Sequence, residues 1–172
     1  LGTVTGTLDI AAPKLSELSA LALTELEGAL SGKVALTGTG ADQQAQLSLQ
    51  GEDIAVAGNR IARLSASGTA SGGLAAPKLS GEATLGGITA GGTAIETVTA
   101  TATSQGSRTD IKLDARLSQG GNADGVALTA ALQPTDSGLE ILLSSLQGRY
   151  RGLATRLAQE ARISVADGTT TI

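Results

Sequence analysis

The chain has 172 residues, a net charge of −4, an apolar fraction of 41%, one Tyr, and no Phe, Trp, Met, Cys or His. The missing Cys and His exclude disulfides, thiolate or ordinary zinc sites, and Ser-His or Cys-His catalytic pairs. The 12 Lys and Arg form no basic stripe beyond the Arg149/Arg151 pair, so a nucleic-acid partner is not expected. No apolar run approaches the roughly 18–20 residues of a membrane-spanning helix.

This length fits one domain or one repeat array, and the core must be built from Leu, Ile, Val and Ala. Aromatic rings bury the most area per residue, so their near-absence predicts a thin apolar layer. The 24 Gly, with many Ser and Thr, predict strands and turns in preference to long helices. Leu1 and the lack of Met predict a piece of a longer chain, truncated at both ends.

Residues 2–10 read as a first strand. The hexapeptide Ala-Ala-Pro-Lys-Leu-Ser follows at 11–16 and recurs at 75–80. Pro13 followed by Leu15, Leu18 and Ala22 at helical spacing predicts a helix of two to three turns over 13–22. The second copy meets Gly81 at once and is expected to run straight into a strand. Strands are expected at 32–38 and 44–50. The latter places Ala45, Leu47 and Leu49 on one face and Gln and Ser on the other. An echo then links Ile54-x6-Ile61-x2-Leu64 to Ile88-x6-Ile95-x2-Val98, 34 residues apart.

Further strands are expected at 63–70 and 81–85, and a strict alternation at 98–103 begins with Val98. Residues 110–117 send Asp110, Lys112, Asp114 and Arg116 one way and Ile111, Leu113, Ala115 and Leu117 the other. That pattern describes a solvated face with cross-strand ion pairs better than a carboxylate catalyst. Residues 120–125 read as a turn. They lack the repeat that a calcium-binding Gly-Gly-x-Gly-x-Asp array requires. Gly38-Thr39-Gly40 and Gly91-Gly92 are also turns, with no Lys-Ser/Thr in phosphate-loop register. A strand at 126–132 carries Val126, Leu128 and Leu132 on one side. The stretch 138–156 has helical propensity, but Gly148 and Gly152 interrupt it, which favours strands at 139–143 and 149–158. Residues 161–166 form another strand with Ile163 and Val165 aligned, and 169–172 open one more. Two internal units, roughly 1–70 and 71–172, are expected. No cofactor or metal is expected, and no enzyme activity.

The expected fold is all-β. Its apolar face is either sealed as an ordinary core or left open to hold something aliphatic. Residues 146–172, LQGRYRGLATRLAQEARISVADGTTTI, resemble the repeat of the TamB family, the translocation and assembly modules of Gram-negative envelopes. Residues 13–32, with Leu15, Leu18, Leu26 and Gly28 before a strand ending Leu36-Thr37-Gly38, are similar to another unit of that family. So are residues 81–98, with Gly-Gly between aliphatics.

The resemblance implies an elongated β-taco, a long sheet folded into a U around an apolar groove. It implies a periplasmic segment whose parent chain is anchored in the inner membrane and pairs with an outer-membrane Omp85-type protein, TamA. It also implies kinship with AsmA-like bridges that carry phospholipid acyl chains, and a part in assembling autotransporters and other outer-membrane proteins. On that reading the groove is lined by Leu47, Leu49, Val98, Ile111, Leu113, Leu117, Val126, Leu128, Leu132, Ile163 and Val165. About 14 strands at roughly 4.8 Å would give a groove on the order of 65 Å long. The alternatives are a chaperone-like template for outer-membrane strands and a closed β-solenoid stalk or adhesin.

Overall fold

Period-two alternation continues well past the segments singled out from the sequence, and the computed structural model accordingly has strands of up to 13 residues. It describes residues 5–38, 43–71, 78–117, 124–135, 138–166 and 169–171. The strands are β1 (Gly6–Ala12), β2 (Leu26–Thr37), β3 (Gln44–Val56), β4 (Asn59–Ser71), β5 (Lys78–Ala90) and β6 (Thr93–Gln105). They continue as β7 (Arg108–Leu117), β8 (Gly125–Thr135), β9 (Gly138–Tyr150), β10 (Leu153–Arg156), β11 (Ala161–Ala166) and β12 (Thr169–Thr171). Thr39-Gly40, residues 75–77 and residues 120–123 lie outside the described residues.

All twelve strands belong to one antiparallel sheet in the order β1-β2-β3-β4-β5-β6-β7-β8-β9-β11-β12, with β10 pairing with β9 beside β11. Each strand pairs with the next in sequence up to β9, so short reversals suffice. Three are two-residue turns with both central residues at positive φ: Ala57-Gly58, Gly91-Gly92 and Arg151-Gly152. This geometry matches the strand twist. The sheet runs without a break across the expected 70/71 boundary, where Ser71 pairs with Lys78.

The sheet is open, and the closed solenoid is not formed: its order is a linear path from β1 to β12. The accessible surface is 11476 Å², against roughly 7,700 Å² for a compact chain of this mass. No side chain among the described residues is fully buried, and the buried apolar ones are only Leu15, Ala130 and Ala131. The molecule is therefore a single layer, and its apolar layer is thin, as the shortage of aromatic side chains led one to expect.

Fewer, longer strands replace the roughly 14 expected. Residues 44–50 and the start of the Ile54 echo merge into β3, and residues 149–158 split between the end of β9, a turn and β10. The path of eleven strands then spans roughly 48 Å at about 4.8 Å per step, not 65 Å.

The helical segment is a 3₁₀ turn, Leu15–Leu18, running into a single-turn helix α1, Ser19–Ala22. It ends where Leu23 adopts a left-handed conformation (φ 53°). The Ser19 hydroxyl accepts a 2.9 Å bond from the Leu26 amide and so ties the segment to the start of β2. Leu15 is 8% exposed and anchors the turn against β2, whereas Leu21 (85%) and Leu23 (93%) project into solvent. The second copy of the hexapeptide does enter a strand. Its Lys78 already pairs with Ser71, and its Leu79, 40% exposed, sits in β5.

Candidate functional site

In an antiparallel sheet, directly paired residues share a face. The registers therefore sort the paired strand residues without further assumption. One row runs Ile10, Gly32, Leu49, Ala66, Ala83, Ala100, Leu113, Leu128 and Leu146 across nine strands. Beside it runs Leu8, Val34, Leu47, Gly68, Gly81, Ala102, Ile111, Ala130, Leu143 and Ala161. A third row contains Leu30, Leu64, Leu85, Val98, Ala115 and Val126. A fourth contains Leu36, Ala45, Ala70 and Leu79 at one end and Leu132, Ile141 and Ile163 at the other. Val165, opposite Leu139, extends the same face.

All eleven residues proposed as lining from the sequence thus stand on one face. Leu117, opposite Ile95, does so at its margin. None of the four rows contains a charged residue. Two hydroxyls do intrude, at Ser104 and Thr109. They bond each other at 2.7 Å, and Ser104 also accepts the Leu79 amide at 2.7 Å, so neither is left unpaired on an apolar surface. Leu47, Val126 and Leu79 remain about two-fifths exposed. Nothing in the chain's described residues covers this face beyond the local contact of Leu15 with β2.

The opposite face is mainly polar, with Leu142 and alanines such as Ala127 and Ala131 as its apolar exceptions. Opposite the central apolar row, its rows read Lys33, Ser48, Ser67, Glu82, Thr101, Lys112, Thr129 and Ser31, Gln50, Ser65, Thr84, Thr99, Asp114. The ion pairs lie here, but not as expected. Thr and Ala flank Asp110 and Asp114 on the neighbouring strands. Their carboxylates turn along their own strand to Arg108 (2.8 Å) and Arg116 (3.9 Å) instead. Among the described residues, only Lys33–Asp9, at 4.0 Å, bridges directly opposed residues.

A crease crosses the sheet beyond the Leu30–Leu64–Leu85 row, and sequence reasoning missed it. Along this line Gly28 (φ 98°), Asp53 (φ 48°) and Gly87 (φ 63°) occupy left-handed backbone, and the registers slip between Glu27/Ala29 and Ile95/Thr97. Bulges of this kind bend the strand that carries them. The bend in β3 is directly visible. A side chain on Gly51 would meet the Ile54 Cδ1 at 2.5 Å, although residues three apart in a straight strand point to opposite faces. Ile54 is therefore turned over the apolar face. Arg60 donates a 3.0 Å bond to the Asp53 carboxylate and holds the bulge from β4.

The crease explains the 34-residue echo. Ile54 pairs with Ile61, Ile61 with Ile88, and Ile88 with Ile95, so the four isoleucines form a continuous row across β3–β6. Two successive hairpins of the same construction, turning at Ala57-Gly58 and Gly91-Gly92, produce the period. None of these four isoleucines was among the residues chosen on sequence, and neither were Leu30, Val34, Leu64, Leu85 and Leu146 of the same face. The echo was the signal that could have found the isoleucine row.

The concave depressions, by contrast, open on the polar face. The one around β3–β6 has Leu47, Gly68, Gly81 and Ala102 as its floor, with walls of Gln46, Ser48, Ser67, Thr69, Glu82 and Thr101. These walls are side chains of the opposite parity from the floor. The apolar surface is a continuous sheet face, not an enclosed cavity.

Among the described residues no helix is long and apolar enough to cross a membrane. No protein-family model, curated protein or solved structure matches the chain.

Proposed function

We propose that this chain is a non-catalytic, lipid-conducting segment of a TamB- or AsmA-like bridge. In the periplasm it would shelter phospholipid acyl chains on its apolar face as they pass between inner and outer membranes. Through its parent chain, anchored in the inner membrane, it would work with an Omp85-type partner of the TamA kind and support assembly of outer-membrane proteins and autotransporters. The observation that carries this reading is the uncovered aliphatic face. It has four charge-free rows, two of them unbroken over nine and ten strands, on a sheet with no second layer among the described residues. Each acyl CH₂ left in water costs about 0.8 kcal/mol, so a lipid leaving a bilayer needs such a surface along its whole path. Leu, Ile, Val and Ala give a smooth lining without aromatic anchors for one defined ligand. The sequence resemblance supplies the cellular setting.

The test is Leu113→Asp or Leu128→Asp in a lipid-transfer assay between donor and acceptor vesicles. Both positions are on an open face, so folding should suffer by only about 1 kcal/mol, while a charge in the central row interrupts the track. Loss of transfer with an unchanged far-ultraviolet spectrum is expected. Transfer at the unsubstituted rate would sink the reading.

A second reading rests on β1. This strand forms one edge of the sheet, and its Leu8 is 62% exposed. An open edge can template an incoming strand by backbone pairing, as a chaperone for outer-membrane strands would. Crosslinks from β1 to protein, with none to lipid from the apolar face, would favour it.

A further inference from the structure

The polar face carries a feature that the lipid reading does not use and that stands independently of it. At the end of the sheet bearing the Arg151-Gly152 turn, β7 to β10 form a cleft of about 600 Å³. Arg116 on β7 pairs with Gly125 on β8, which pairs with Arg149 on β9, which pairs with Ala154 on β10. Arg156 stands two residues beyond Ala154 on the same strand and face. Two arginines thus flank a position with no side chain, and a third stands beside a position with only a methyl group. Strands two apart are roughly 10 Å apart, a gap that Gly125 leaves open and that two long guanidinium side chains can close from either side. Arg116 lies 3.9 Å from Asp114, a loose contact, and among the described residues Arg149 and Arg156 have no carboxylate partner. The other acid at the cleft, Asp124, is buried and engaged. Its carboxylate accepts the Arg151 amide at 2.8 Å, and its carbonyl accepts the Leu117 amide at 3.0 Å, which fixes the turn and the cleft wall.

We propose that this notch is an oxyanion site, in which Arg116, Arg149 and Arg156 converge on a phosphate group. Guanidinium is the side chain suited to this task, because its planar fork matches two phosphate oxygens and it stays charged at every working pH. A lipid headgroup and free phosphate are the two sources of such a group. The chemistry is the same and the experiment separates them.

The experiment uses the whole chain in titration calorimetry with inorganic phosphate. In parallel, it uses flotation with vesicles of phosphatidylcholine alone and of phosphatidylcholine containing phosphatidylglycerol. Arg149→Ala is expected to weaken binding about tenfold, the loss of one charge-assisted contact. Ala154→Glu, which places a carboxylate in the notch on an exposed strand, should abolish it. Arg63→Gln, an equal charge change on the same polar face but four strands from β8, should leave it unchanged. Binding of phosphate with these effects supports a free-anion site. Binding only to phosphatidylglycerol vesicles, with the same effects, supports a headgroup site. No binding to either probe, or equal weakening by Arg63→Gln and Arg149→Ala, overturns the proposal.

Discussion

Lys112 and Leu113 are neighbours in the chain and stand on opposite faces, one among Thr side chains and the other between Ala100 and Leu128. The same contrast was plain from alternation at 44–50, 98–103 and 126–132, whereas in β9 the adjacent Leu142 and Leu143 occupy opposite faces and alternation gives no signal. Backbone conformation at single residues was not plain either. Asp53 and Gly87 adopt left-handed φ inside strands because strands on either side fix their registers, a constraint set by residues 8 to 26 positions away. Gly28 and Gly58 make the distinction measurable. A side chain at Gly28 (φ 98°) would meet the Glu52 and Asp53 carbonyl oxygens at 2.5 Å, whereas at Gly58 (φ 78°) nothing lies within 4 Å. Gly58→Ala is therefore expected to cost about 1 kcal/mol, from backbone strain only. Gly28→Ala, adding a clash with backbone at the crease, is expected to cost about 3 kcal/mol. Denaturant unfolding of the two variants checks the difference, and equal costs would show that the crease does not depend on close approach at Gly28.

Among the elements of the described residues, the helical segment between β1 and β2 is the one departure from sheet. Its position and length were readable from Pro13 and the Leu15/Leu18/Ala22 spacing. The different fate of the second hexapeptide followed from Gly81. One side chain, Leu15, does the docking, while Leu21 and Leu23 face solvent. Leu15→Ala is expected to remove about 2 kcal/mol of local stability. The consequence should be confined. Amides of residues 15–25 should exchange faster and the segment should become open to proteolysis, with β3–β8 protected as before. If protection fell equally in β3–β8, the segment would be part of the sheet's cooperative unit and not an appendage. The strands show the limit of the reading in the other direction. Segments 44–50 and 63–70 were recognised, but their continuation through Gly51, Asp53 and Ile54 was not. Interior Gly normally weakens a strand; here pairing on both sides carries the strand through it.

For the molecule as a whole, composition pointed to strands and a thin apolar layer but left a sealed core and an open face both standing. The structure is one open sheet with an accessible surface of 11476 Å². Its two faces divide the chemistry. The aliphatic face contains every residue chosen as lining from the sequence, and the isoleucine row at the crease adds a lip that the 34-residue echo had encoded. The polar face contains the salt bridges and the arginine notch. The notch was illegible in sequence, because Arg116, Gly125 and Arg149 become neighbours only through pairing across three strands.

The central claim is that the aliphatic face, and only that face, meets acyl chains. It is tested most directly by placing a photo-crosslinking residue at Leu113, at Leu128 and at Lys112 in turn, in cells, and analysing the adducts by mass spectrometry. Phospholipid adducts at Leu113 and Leu128 with none at Lys112 are predicted. Adducts equally abundant at Lys112, or no lipid at either leucine, would contradict the account.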